Sequence, residues 1–422
     1  MKKNVLVFPC GSEIALELYR SLHPSIHFRL FGASSIDDHG KFVYENYIGN
    51  VPFYTEENFI PVMQEIVKQN AIDYIIPAMD SVITRLKENE EKLACKVIAS
   101  CTETTKICLS KKKTYEVLKD VVRVPKMFNK EEDIPYPVFC KPEVGYSAKN
   151  TKYIIDRAML QQHLQEHPEC LILEYLPGEE YTLDCFTDAA GKLLFCGPRI
   201  RKRIDSGISV NTVPVEETGE FSEIADRINQ KIKLQGAWFI QLKRAQNGEL
   251  VLMEIASRMG GSSSLYRARG INFAQLSLFD AMGIPVEILD NGYPVELDRA
   301  LGTSYKIDIE YDEIFIDWDD TIILDACYYN PDVIKFLYLS QNRKKKITLL
   351  SSHAGDLDQE IDRFQLRQLF DRIIHISKSE NKVDFIDNNK AIFIDDAFSE
   401  RKKVFHGKHI PVFSVDMVEI LF

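Results

Sequence analysis

The sequence predicts a multidomain α/β protein, and three observations carry that expectation. Short β-rich apolar runs alternate with helical patterns over roughly the first hundred residues, the layout of a parallel sheet. The middle of the chain returns to short strands and turns, with Asn247-Gly248 marking a hairpin between two apolar runs. Around Ile307 to Asp312 a fresh strand begins and the α/β alternation restarts. A chain of 422 residues has room for roughly two to four domains, and these breaks place them at 1–105, 106–308 and 309–422.

Composition narrows the function classes. A content of 45% hydrophobic and 27% charged residues is that of an ordinary globular protein. The net charge of -11, with no strongly basic domain, argues against a nucleic-acid partner. No stretch approaches eighteen apolar residues, so no membrane span is expected. Val5 to Phe8, ahead of Pro9, is too short for the apolar core of a signal peptide and reads as a first buried strand. The nine cysteines form no Cys-x-x-Cys pair; Cys10, Cys140 and Cys185 read as buried thiols in a reducing cytoplasm.

In chain order, Ser12 to Leu22 reads as a helix, Phe28 to Gly32 as a second strand and Phe59 to Gln69 as a second helix. Ile72 to Pro77 is a strand that ends in Ala78-Met79-Asp80, and Lys96 to Ala99 closes the series. Asp80, at a strand end, either contacts a substrate or caps a helix. Lys111 to Leu118 opens a helix, followed by strands at Pro137 to Lys141, Cys170 to Glu174, Tyr181 to Cys185 and Lys192 to Cys196. A helix fits Phe221 to Ile232, then strands Trp238 to Leu242 and Leu250 to Ile255 flank the hairpin, and Phe273 to Met282 is again helical.

The C-terminal region concentrates acidic groups at strand ends. Glu313 to Ile316 runs into Asp317-Trp318-Asp319-Asp320-Thr321. Two carboxylates so close behind a buried strand need a cation; in such a cluster one oxygen can attack phosphorus while Mg²⁺ neutralises charge. Ile347 to Leu350 leads to Ser351, Lys378 and Lys382 follow, and Ala391 to Ile394 runs into Asp395-Asp396. In this order the set resembles the haloacid dehalogenase superfamily, over about Phe315 to Phe422. The resemblance implies that Asp317 forms an aspartyl-phosphate and that Asp319 protonates the leaving group and then activates water. Ser351 would bind the phosphoryl group, with Lys382 (or, less well, Lys378) offsetting its charge. Asp395, Asp396, Asp317 and the backbone carbonyl of Asp319 would hold Mg²⁺. Spans of roughly thirty residues between these motifs leave no room for a large cap. A capless, Rossmann-like domain with an open site is therefore expected, taking a sizeable phosphorylated molecule or a substrate delivered by the neighbouring domain. Trp318 is expected to point into packing, and Arg343-Lys344-Lys345-Lys346 to be a solvated loop.

Three pieces of the middle region point to a nucleotide. Lys141 ends a strand ahead of the small-residue segment Gly145-Tyr146-Ser147-Ala148, and a lysine with a closing loop suits phosphates. Backbone groups near Glu174 and Leu176 can read an adenine edge, and an acidic side chain after Gly178 can hold ribose hydroxyls. Gln241 and Glu254, on the hairpin strands, can aim oxygens at Mg²⁺, with Arg258 beside Gly260-Gly261 for phosphate. No P-loop motif is present. Together these pieces resemble the ATP-grasp superfamily, especially its carbamoyl-phosphate-synthase-like and amino-acid-ligase branches, over about residues 1 to 305. The resemblance implies a pre-ATP-grasp α/β domain followed by an ATP-grasp α+β domain. Lys111 and Lys141 match its nucleotide lysines, Glu174 and Leu176 its adenine hinge, Glu180 its ribose carboxylate, with Glu179 one residue away. Gln241 and Glu254 match metal ligands and Arg258 the arginine of the Glu-Ile-Asn-x-Arg segment, while Arg199, Arg201 and Arg203 fall near the acceptor carboxylate. One departure stands out: Ala256 takes the place of the asparagine and cannot coordinate a metal. The segment Leu265 to Gly270, with Tyr266 and Arg267, either lines the acceptor pocket or packs.

The two resemblances imply an ATP- and Mg²⁺-dependent carboxylate–amine ligase fused to a phosphomonoester hydrolase, with small-molecule carboxylate, amine and phosphoester substrates. The alternative is a phosphatase carrying an ATP-binding regulatory domain without ligase turnover. A homo-oligomer is compatible with this reading, but no segment points to one.

Overall fold

In the computed structural model of the chain, residues 2–130, 133–145, 149–205, 207–216 and 218–422 are described. The first apolar run becomes a central strand: β1 (Lys3–Phe8) pairs with β2 (Phe28–Ala33) on one side and with β4 (Tyr74–Pro77) on the other. With β3 (Asn46–Ile48) and β5 (Lys96–Val97) at the edges, the sheet is parallel throughout, in the order β3-β2-β1-β4-β5. Alternate residues of β1 enter two cores. Val5 and Val7 pack with Leu18 and Leu22 of the helix Glu13–Leu22, and Leu6 and Phe8 with Phe59 and Met63 of the helix Phe59–Gln69. A strand covered on both faces reads as a continuous apolar run, which is why it was visible in the sequence. Ser12 is the N-cap of the first helix and accepts from the Ala15 amide at 3.2 Å.

The middle region holds two antiparallel sheets. The smaller comprises β6 (Met127–Phe128), β7 (Val138–Pro142), β8 (Lys152–Ile154) and β9 (Cys170–Glu174), in the order β6-β9-β7-β8. The larger comprises β10 (Glu180–Thr187), β11 (Leu193–Asp205), β12 (Ile208–Pro214), β13 (Gly236–Arg244), β14 (Leu250–Ala256) and β15 (Leu297–Asp298), in the order β14-β13-β10-β11-β12-β15. The helix Glu220–Ile232 covers one face through Phe221, Ala225, Ile228 and Ile232. β11 runs far past Cys196, where the sequence reading ended it. Gly197-Pro198 looks like a break, yet the glycine is there because a Cβ would come within 2.5 Å of the Tyr266 ring.

The chain divides into two units, Met1–Gly302 and Thr303–Phe422. The expected boundary at 308/309 lies in the irregular stretch ahead of β16 (Glu313–Ile316). The one at 105/106 falls inside the helix Thr102–Leu109 and is not a linker. The second unit is again a parallel sheet. β16 is central, followed in the chain by the hairpin strands β17 (Ile323–Leu324) and β18 (Tyr328–Tyr329). β19 (Lys346–Ser351), β20 (Arg372–His375), β21 (Ala391–Ile394) and β22 (Val412–Phe413) complete it in the order β20-β19-β16-β21-β22. Ile314 and Ile316 pack on one face with Phe336 and Leu337 of the helix Pro331–Asn342. Phe315 packs on the other with Val404 of the helix Phe398–Lys408. Between β16 and β19 stand only the small hairpin and one helix, in line with the absence of a large cap. Trp318 is buried, its ring edge-on to Phe364. Arg343, Lys344 and Lys346 are exposed. Among the described residues no helix is long and apolar enough to cross a membrane.

Candidate active sites

In a parallel sheet, groups converge where strands on either side of a central one end together. In the second unit that point lies beyond β16, β19 and β21, whose registers align Ile316 with Leu349 and Ile394. Asp317, Ser351 and Asp395 therefore leave adjacent strand ends. Lys382 is buried between two of them, with Nζ 2.8 Å from Asp317 Oδ1 and 2.6 Å from Asp395 Oδ2. Oxygens of Asp317, Asp395 and Asp396 lie within 4.8 Å of one another, a set that one small hard cation can bridge. Burial, reinforced by Asp317, pushes Asp395 up to about 7 despite Lys382. Burial also raises Asp317 against the pull of Lys382. For Lys382 burial acts downward, but the two carboxylates outweigh it and hold the amine above its usual range. Ser351 Oγ is buried beside Asp317 and helps to hold its carboxyl down. Lys378, the weaker lysine candidate, is exposed.

The Asp319 carboxylate is not one of that carboxylate set. It meets His353, whose Nδ1 lies 2.9 Å from Oδ1 and 3.0 Å from Oδ2. Thr321 Oγ1 accepts from the Asp396 amide at 3.0 Å. Neither His353 nor the Thr321 tie was assigned from sequence. An imidazole two residues beyond the strand-end Ser351 was the available signal.

In the first unit the structure brings Lys111, Lys141, Glu180 and Glu254 into one cluster of charges. Lys111 opens the helix Lys111–Leu118 and lies 3.8 Å from Glu254 and 3.3 Å from the Gly145 carbonyl. Lys141, on β7, donates to the Met253 carbonyl at 3.0 Å over the Tyr115 ring. Tyr115 Oη donates to the same carbonyl at 2.7 Å. Burial, with Lys111 adding repulsion and Glu254 opposing, lowers Lys141 to about 7. Gln241 and Glu254 are direct cross-strand partners on β13 and β14. Glu180, not Glu179, faces this cluster: it pairs with Arg201 and lies 4.0 Å from Lys243, while Glu179 accepts from Tyr181 Oη at 2.7 Å. Ser147, with its neighbours Tyr146 and Ala148, lies outside the described residues.

The remaining expected residues are held by other partners, with Arg201 also bonded to Glu180. The Glu174 carboxylate is held by Arg123 at 2.7 and 2.9 Å, its amide donates to the Lys126 carbonyl at 2.9 Å, and Leu176 is buried. Arg258 pairs with Asp80 at 2.6 Å over the Phe239 ring. Asp80 is thus the first residue of a helix tied to Arg258, and its side chain makes no cap. Arg199 is buried against Asp184 at 2.6 Å. Arg201 reaches the Gly207 carbonyl at 2.7 Å as well as Glu180, and Arg203 pairs with Asp298 at 2.5 Å near the surface. Tyr266 donates to the Pro198 carbonyl at 2.8 Å and Arg267 to Glu17 at 2.7 Å.

Comparison with known proteins bears on the first unit. Residues 166–299 match the family described as ATP-grasp in the biosynthetic pathway with Ter operon. No curated protein matches the chain. Among solved structures, biotin carboxylase of Campylobacter jejuni superposes with TM-score 0.58 at 15% identity, over 69% of this chain and 73% of that one. N5-carboxyaminoimidazole synthetase of Staphylococcus aureus gives 0.57 at 18% identity, over 68% and 79%. The L-amino acid ligase of Bacillus licheniformis gives 0.56 at 17% identity, over 68% and 75%. About two thirds of the chain therefore shares the fold of these structures, and residues 166–299 match an ATP-grasp family.

Proposed function

We propose that this chain is an ATP- and Mg²⁺-dependent ligase joining a carboxylate to an amine, and that its C-terminal unit is a capless haloacid-dehalogenase-like phosphomonoester hydrolase. The observation that carries the ligase half is the cluster in which Lys111 and Lys141 lie beside Glu254, the cross-strand partner of Gln241. Two lysines suit a polyphosphate and two side-chain oxygens suit a divalent cation. The similar biotin carboxylase and synthetase are described in complex with β-γ-ATP and with ADP. The carboxylate oxygen attacks the γ-phosphorus, ADP leaves, and the amine attacks the acyl carbon with release of phosphate and a proton. Gln241 and Glu254 would hold Mg²⁺, which supplies charge neutralisation on the phosphates.

The hydrolase half rests on Asp317, Asp395 and Asp396, just past the ends of β16 and β21, converging with Lys382. An Asp317 oxygen bonds phosphorus as the ester P–O bond breaks, and Asp319 gives a proton to the departing oxygen. Water then attacks phosphorus, Asp319 takes its proton, and inorganic phosphate leaves Asp317. Asp317, Asp395, Asp396 and the carbonyl of Asp319 would hold the metal there.

The test is Mg²⁺-dependent ADP release by a D317N variant, screened over carboxylates with and without amines. D317N removes hydrolase background. Release that needs one acid–amine pair supports the ligase reading. Tight ATP binding with no release under any pair supports the second reading, a nucleotide-binding regulatory unit. Ala256 is the observation that favours it: it lies on the same face of β14 as Glu254 and adds no ligand.

A further inference from the structure

A general acid has to be held within hydrogen-bond reach of the oxygen it protonates. Asp317 and Asp395 are buried and clamped by Lys382, but the Asp319 side chain is 47% exposed. What holds it is His353, whose Nδ1 sits almost evenly between the two carboxylate oxygens, at 2.9 and 3.0 Å. His353 is itself fixed from both ends. Its carbonyl meets His375 Nε2 at 2.9 Å, and its ring packs over Gly355, where a Cβ would stand 3.2 Å from Nε2. Its side chain is only 18% exposed. Nothing in the aspartyl-phosphate chemistry itself requires an imidazole at this place.

We infer that His353 is a positioning residue that orients Asp319 towards the leaving oxygen; the inference rests on the hydrolase reading above. An Nδ1–H shared between both oxygens restricts the carboxyl rotamer. An ionised carboxylate has about four lone-pair directions, so beside the His353 bond either oxygen stays free to carry the proton that is transferred. The consequence is selective. A substrate whose leaving oxygen needs a proton depends on the orientation of Asp319, and one that leaves as a stable phenolate does not.

The experiment compares kcat/KM of the full chain and its variants for para-nitrophenyl phosphate and for an alkyl phosphate such as glycerol phosphate. kcat/KM reports the step in which the ester bond breaks. H353F should lower kcat/KM for the alkyl phosphate by about ten- to hundredfold and for the aryl phosphate by less than about threefold. H353N, which keeps an N–H donor at the Nδ1 position, should recover most of the loss. G355A, which moves the ring by a few tenths of an ångström, should show the same substrate selectivity more weakly. Equal losses on both substrates, or none on the alkyl ester, overturn the inference. Should H353F fail to fold, H353N and G355A decide it. D317N separates this from the underlying reading. If the wild type hydrolyses neither ester, or D317N retains hydrolysis, the aspartyl-phosphate reading fails and the role of His353 falls with it.

Discussion

At the scale of single residues, Lys141 is where burial and function pull in opposite directions. Its amine is driven down to about 7 by burial, with Lys111 repelling it and Glu254 and Glu180 attracting. The unfolded chain keeps that proton up to its ordinary range near 10.5, so between the two values the unfolded state binds more protons. Stability of the nucleotide-free protein should accordingly rise with pH across that window. A bound polyphosphate reverses the balance and favours the ammonium. ATP binding at about pH 8 should therefore take up close to one proton. Calorimetric titration in buffers of different ionisation enthalpy measures this directly. The uptake should vanish in K141M, and its persistence there would remove Lys141 from the phosphate site.

At the scale of elements, the turn from β9 into β10 fixes the larger sheet. The Gly178 amide donates to the Arg244 carbonyl at 3.0 Å, and the Arg244 amide returns a bond to Glu179 at 3.0 Å. A Cβ on Gly178 would stand 2.7 Å from that carbonyl oxygen, so the backbones could not close in this way. G178A should cost about 1–3 kcal/mol, read as a lowered denaturation midpoint. This constraint was invisible in the sequence, where Gly178 is simply a turn residue. The strands buried on both faces were legible: Glu313–Ile316 and Ala391–Ile394 keep their predicted limits because every residue in them is buried. Short edge strands such as Asn46–Ile48 and Arg372–His375 are only half-buried and carry no such signal. The acidic strand ends of the second unit were readable as an ordered series. His353 was not, because its meaning comes from a contact with Asp319 across 34 positions.

At the scale of the molecule, each unit supplies its own sheets and its own core clusters, and each set of candidate groups comes from one unit alone. The two proposed activities should then be lost separately. K141M should abolish acceptor-dependent ADP release and leave phosphomonoester hydrolysis within about twofold, and D317N should do the reverse. Paired assays on both variants check this. Loss of both activities in either variant would mean that the two chemistries share a step.

The buried pair of Asp184 and Arg199 carries a consequence for how this protein can change over time. Each side chain is 3% exposed, and they meet at 2.6 Å across β10 and β11. Removing one partner leaves a stranded charge at about 3–5 kcal/mol, a large part of a typical fold's margin. Exchanging both together for apolar residues of similar volume is often nearly neutral. The single steps are therefore closed while the double step is open. In any lineage of such chains these two positions should be kept together or lost together, so that a sequence holding only one of them would mark a rebuilt neighbourhood.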